Sequence, residues 1–98
     1  MIRWTERALA DLIAIGEYIA ADKPDAARRW VERLRHQASV AAELPLAGRR
    51  VPEIERDDVR ETFLRSYRIV YRVEADGITV LTVFEGHRLL REGDIDDE

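Results

Sequence analysis

The amino-acid sequence predicts an α+β fold: a short N-terminal strand, an antiparallel helix hairpin and a three-stranded antiparallel meander. Three observations carry that expectation. Val59 to Leu90 is rich in Val, Ile, Thr, Tyr and Phe alternating with other residues, which suits a pleated surface. Within it, Asp76-Gly77 is a hairpin signal, because a type I′ turn needs positive φ at both central positions. Ahead of it, two stretches carry apolar residues at helical spacing with only Asp22-Lys23 between them.

Each element has its own signal. Ile2 and Trp4 flank Arg3 in a brief alternation, a short strand. Thr5 can cap a helix, since its hydroxyl accepts from an orphan first-turn amide. Leu9, Leu12, Ile13, Gly16 and Ile19 then recur at helical spacing, predicting an amphipathic helix over Glu6–Ala21. Pro24 suits the first position of a second helix, expected over Pro24–Glu43. Its apolar stripe is Ala27, Trp30, Val31, Leu34, Ala38 and Ala41; its other face is Arg28, Arg29, Glu32, Arg33, Arg35 and His36. So short a connection predicts antiparallel packing. Pro45 to Asp58 shows no period and is expected as a loop of roughly 12–14 residues, long for a compact domain.

The strand register follows from the turn. A two-residue loop at Asp76-Gly77 pairs Ala75 with Ile78, Val73 with Val80, Tyr71 with Thr82 and Ile69 with Phe84, all on one face. That face is expected under the helices. Trp4, Leu12, Ile19, Trp30, Leu34, Ile69, Tyr71 and Val80 are expected to be buried. The opposite face holds Arg68, Val70, Arg72, Leu81, Val83 and Glu85. Left free, it exposes an apolar patch of the kind that marks a binding site.

Composition bounds the function. Ninety-eight residues make one domain, 46% apolar and 37% charged. Cysteine is absent, which excludes disulfides and thiolate chemistry and fits a reducing, cytoplasmic setting. The N-terminus lacks the apolar run of a signal peptide, and no segment reaches membrane-spanning length. The net charge of −4 is local. Residues 92–98 carry five acids and no base, an acidic tail expected to be flexible, outside a domain of 1–91. The remaining body has 16 bases against 15 acids, too balanced for unaided, tight binding to nucleic acid. No phosphate loop, nucleophile elbow or metal-spaced His pair occurs, so no metal or cofactor is expected.

An ordered set of short motifs runs through nearly the whole chain. Ala8 to Ala20 reads A-x-x-D-L-x-x-I-x-x-Y-I-A, and an A-A-R-R helix begins after Pro24. L-P-x-x-G-R follows at Leu44–Arg49, V-P-E at Val51–Glu53 and V-R-E at Val59–Glu61. Y-R-I-V-Y-R-V spans Tyr67–Val73, and V-F-x-G-x-R spans Val83–Arg88. The set resembles the RelE/ParE superfamily of bacterial type II toxins. The resemblance implies the fold already outlined and a toxin neutralised by a co-expressed antitoxin that wraps it.

The superfamily divides by target. One branch resembles ParE, poisons DNA gyrase and has no known catalytic chemistry. The other resembles RelE and cleaves mRNA in the ribosome with acid–base side chains and no metal. Three residues could serve that second chemistry. Arg68 matches the phosphate-binding arginine, Glu53 a general base and His87 lies near a C-terminal acid. Against this, Lys23 is the single lysine and no aromatic residue follows Phe84. The expectation is therefore a ParE-like gyrase inhibitor and plasmid-stabilising toxin, with no catalytic residue of its own. Antitoxin binding is expected at Arg60, Arg68, Val70, Arg72, Leu81 and Val83, and in the groove beside the helix hairpin. Target binding is expected at Phe84, His87, Arg88, Leu89 and Leu90. Operator DNA is expected to be reached only through the antitoxin. The alternatives are a ribosome-dependent mRNA endonuclease using Glu53, Arg68 and His87, and a non-toxic corepressor that only binds antitoxin.

Overall fold

The structure, a computed structural model, describes residues 1–86 and 90–95. The order is β1 (Ile2–Trp4), α1 (Glu6–Ala20), α2 (Pro24–Glu43), a 3-10 turn at Pro45–Ala47, β2 (Arg49–Arg50), β3 (Val59–Leu64), β4 (Tyr67–Glu74), β5 (Gly77–Glu85) and a 3-10 turn at Glu92–Asp94. The strands form one sheet in the order β1-β5-β4-β3-β2. The meander β3-β4-β5 is antiparallel, as expected, and β1 adds to β5 in parallel. β2 is an addition to the expected loop: Arg49 and Arg50 pair with Glu61 and Arg60.

Local chemistry sets the element ends. The Thr5 hydroxyl accepts the Ala8 amide at 3.0 Å and so caps α1. Pro24 opens α2 without the amide that a first-turn position leaves unpaired anyway. The β4–β5 loop is Ala75-Asp76, one step earlier than the turn chemistry suggested, with Glu74 opposite Gly77. Among the described residues, Arg65 is the non-glycine with positive φ, so Asp76 does not adopt the I′ conformation. Gly77 takes φ +147° instead, and an added Cβ there would collide with the Met1 carbonyl.

The two faces of the sheet are both filled. On the helix side, Ala8, Leu12, Leu34, Ala38, Ala41, Ile69, Tyr71, Ile78, Val80 and Val83 form one core. The inner stripe of α1 differs from the expected one. Ala8 and Leu12 are buried, whereas Leu9 and Ile13 are exposed, because the helix carries more apolar residues than one face can bury. Trp4, Ile19 and Trp30 are half-buried, not interior as expected. On the outer side, Val59, Val70, Leu81 and Phe84 meet Val51 and Ile54 from the loop and Leu90 and Ile95 from the C-terminal segment. The expected open face is thus closed by the chain itself. The tail is not wholly free either: Ile95 is buried, and Asp94 accepts from Arg7 at 3.0 Å. Residues 96–98 lie outside the described residues.

A bulge explains the sorting of β5. Tyr71 faces Val80, but Val70 faces Thr82, so Leu81 is one residue in excess. The inward positions therefore switch from Ile78 and Val80 to Val83. Phe84, expected inside, turns to the outer core, and Val83, expected outside, turns to the inner one. Ala75, expected in the apolar layer, is an exposed turn residue. Beyond Trp4, where β1 ends, α1 covers the β5 edge. The Thr5 hydroxyl donates to the Leu81 carbonyl at 3.0 Å. Asp11 accepts the Val83 amide at 3.1 Å and the Thr82 hydroxyl at 2.6 Å. Those bonds leave no free ladder there for another strand.

Candidate functional site

Arg68 lies on β4 at the outer face and is 5% exposed. Its Nε donates to Glu61 Oε1 at 2.6 Å. Nη1 and Nη2 donate to the two oxygens of Glu53 at 2.8 and 3.0 Å, the bidentate fork that guanidinium and carboxylate geometry favours. Glu61, 1% exposed on β3, also accepts from Arg49, at 2.8 Å from its Nε. Glu53 Oε2 accepts the Leu90 amide at 3.1 Å as well. The guanidinium stacks 5.2 Å above the Phe84 ring. Two carboxylates, two arginines and one backbone amide thus join the loop, the sheet and the C-terminal segment. Hydrogen bonding from Arg68 is the main cause that lowers the Glu53 carboxyl from 4.5 to about 2; the Leu90 amide adds to it.

The structure brings together two of the three candidate nuclease residues, Arg68 and Glu53, but as partners of each other. The third, His87, lies outside the described residues, with Arg88 and Leu89. The expected antitoxin contacts are also engaged within the chain. Val70, Leu81 and Val83 are buried. Arg72 pairs with Glu74 at 2.8 Å, and Arg60 donates to the carbonyls of Asp57 and Gly48 at 2.9 and 3.2 Å. Of the expected target contacts, Phe84 and Leu90 are buried in the outer core.

The groove expected beside the helix hairpin lies on its outer side, and its lining is what the motifs did not name. A groove of about 870 Å³ runs between α1 and α2. Leu9, Leu12, Ile13 and Val31 form its apolar floor, and Arg28 and Arg35 stand on its α2 rim. Gly16 permits the close helix approach, because a Cβ there would lie 3.1 Å from Val31. The surplus of apolar residues in α1 was the signal: Leu9, Leu12, Ile13, Ile15 and Ile19 together exceed one stripe. Among the described residues, no group of His, Cys, Asp or Glu could hold a metal ion, and no helix is long and apolar enough to cross a membrane.

Comparison with known proteins agrees with this architecture. Residues 2–90 match the family described as ParE toxin of type II toxin-antitoxin system, parDE. Y4kP, a toxin candidate of Sinorhizobium fredii, is 42% identical over 91 residues, covering 89% of this chain and 88% of its own. Toxin RelE2 of Caulobacter vibrioides is 44% identical over 75 residues, covering 76% of this chain and 81% of its own. A solved chain of the chromosomal ParDE system from P. aeruginosa superposes with a TM-score of 0.72 at 25% identity, over 86% of this chain and 92% of that one. With the fold, the motif order and the family match in agreement, this chain belongs to the ParE toxin family of type II toxin–antitoxin systems.

Proposed function

We propose that this toxin acts by binding DNA gyrase, without catalytic chemistry of its own, and is neutralised by a cognate antitoxin. The observation that carries the reading is the state of Arg68. A phosphate-binding arginine must offer its fork to the substrate, and here both edges of the fork are taken by Glu53 and Glu61. Glu53 cannot take over as a base. With its carboxyl held at about 2 it is a poor proton acceptor near neutral pH, far from the matched value that general-base catalysis favours. A second reading, ribosome-dependent mRNA cleavage, is favoured by one finding: a relative at 44% identity is named RelE2.

The antitoxin docks in the outer groove of the hairpin, not on the sheet face. Leu9 and Ile13 offer apolar area there, and Arg28 and Arg35 suit acidic residues on the partner. The deciding experiment induces the toxin without antitoxin and compares supercoiling and DNA-damage signalling with mRNA integrity. Loss of supercoiling with intact mRNA is expected. Cleaved mRNA with normal supercoiling overturns the gyrase reading in favour of the second. Ile13→Arg, at an exposed position, is expected to abolish antitoxin protection while the circular dichroism spectrum is kept.

A further inference from the structure

One end of the molecule carries aromatic and arginine side chains that none of the foregoing uses. Tyr18 on α1 is 80% exposed, the most open of the large apolar side chains among the described residues. It stands between two hollows. One, of about 370 Å³, is lined by Ala14, Ile15, Tyr18, Tyr67 and Glu85. The other, of about 540 Å³, is lined by Tyr18, Ile19, Ala21, Asp22 and Lys23. The Tyr67 ring meets Trp30 edge-on at 6.0 Å, and the Arg33 guanidinium lies 5.0 Å over the Trp30 ring. Trp30, Tyr67 and Arg33 are all at least partly open to solvent. None of the four lines the hairpin groove.

We propose that Tyr18, Tyr67, Trp30 and Arg33, with Glu85, form a protein-docking surface, and that its occupant is the protein the toxin inhibits. The proposal rests on the reading that toxicity is exerted by binding. Tyr, Trp and Arg are the residue types that dominate binding energy at protein interfaces. All of these side chains stand on helices or strands, so little ordering is lost when a partner docks. The charges are mixed in sign: Lys23 and Arg33 beside Asp22 and Glu85. A polyanion wants one sign, whereas a folded protein surface offers both. Tyr67 is also the register partner of Glu85, the last residue of β5. The surface therefore reaches the exposed end of β5.

The test uses Tyr18→Ala and Arg33→Glu in the full chain, with folding checked by circular dichroism. Growth arrest on induction, inhibition of supercoiling by purified toxin, and antitoxin affinity are measured together. Each variant is expected to raise the concentration needed for half-inhibition at least about tenfold and to relieve growth arrest, as loss of an interface anchor does. Antitoxin affinity, measured at high salt where the charge of α2 is screened, is expected to be retained. Folded variants that arrest growth like the unmodified toxin overturn the proposal. So does a parallel loss of antitoxin affinity, which assigns the surface to the antitoxin. If unmodified toxin arrests growth but leaves gyrase active, the gyrase reading fails and growth arrest alone decides this surface: relief supports it, and retention overturns it.

Discussion

Glu53 owes its low carboxyl value to contacts that exist only in the folded chain, so its ionisation is linked to stability. The folded value, about 2, lies below the ordinary 4.5. The stabilisation is therefore fully present above about pH 4.5 and is lost as pH falls toward 2. Denaturant unfolding measured across that window should show a falling limb, and Glu53→Gln should flatten it. Asp11 makes a second residue-scale case. It was visible in the sequence only as the D of a motif; its task, closing the β5 edge at the bulge, depends on a register the sequence does not display. Asp11→Ala leaves the Val83 amide and the Thr82 hydroxyl without their partner. The expected loss is about 1–3 kcal/mol of unfolding free energy, measured by urea denaturation. Arg65, at φ 55°, occupies a backbone region that costs a non-glycine residue energy. Arg65→Gly should raise stability by up to about 1 kcal/mol, the steric relief being partly offset by glycine's entropy.

At the scale of elements, legibility followed periodicity. Both helices, the Thr5 cap of the first, the Pro24 start of the second and the three long strands are readable, because their spacing and turn residues are local properties. The face of each β5 residue was readable only up to the bulge. A single extra residue at Leu81 reverses the alternation, and nothing local in Val80-Leu81-Thr82 announces it. The part of the C-terminal segment up to Ile95 is hard to read for a related reason. Its acids suggested a solvated tail, while the one apolar residue among them, Ile95, closes the outer core together with Leu90. Ile95→Ala should accordingly cost about 2 kcal/mol, the low end for a buried isoleucine, measured by thermal unfolding. A free tail predicts no change. The Arg68 site is half legible: Arg68 and Glu53 stand out as candidates, but Glu61, which fills the second edge of the fork, shows only as the E of a V-R-E motif.

For the whole molecule, the sign of the net charge hides a polarity. Lys23 to His36 carries five bases against two acids, a local +3 in a chain of −4, which leaves −7 on the remainder. Among the described residues, seven arginines elsewhere are paired with carboxylates. Arg28, Arg29, Arg33 and Arg35 have no ion-pair partner among the described residues. A field of that shape steers an acidic partner toward α2 and is screened by salt. The antitoxin association rate should fall as ionic strength rises, and Arg28→Glu with Arg35→Glu should lower it on the order of tenfold at low salt. A salt-independent rate would place the antitoxin elsewhere.

The pairing of β1 with β5 also bears on when the protein first becomes itself. Thr5 bonds to Leu81, 76 residues later, and the first strand finds its neighbour only in the last. During synthesis, the intervening chain takes roughly 4–15 s to appear at ordinary elongation rates. Through that interval the start of the chain has no β5 edge to join, and Leu90 and Ile95, which finish the outer core, come later still. The strand order thus makes the first segment wait for the fifth strand before the sheet can close over it.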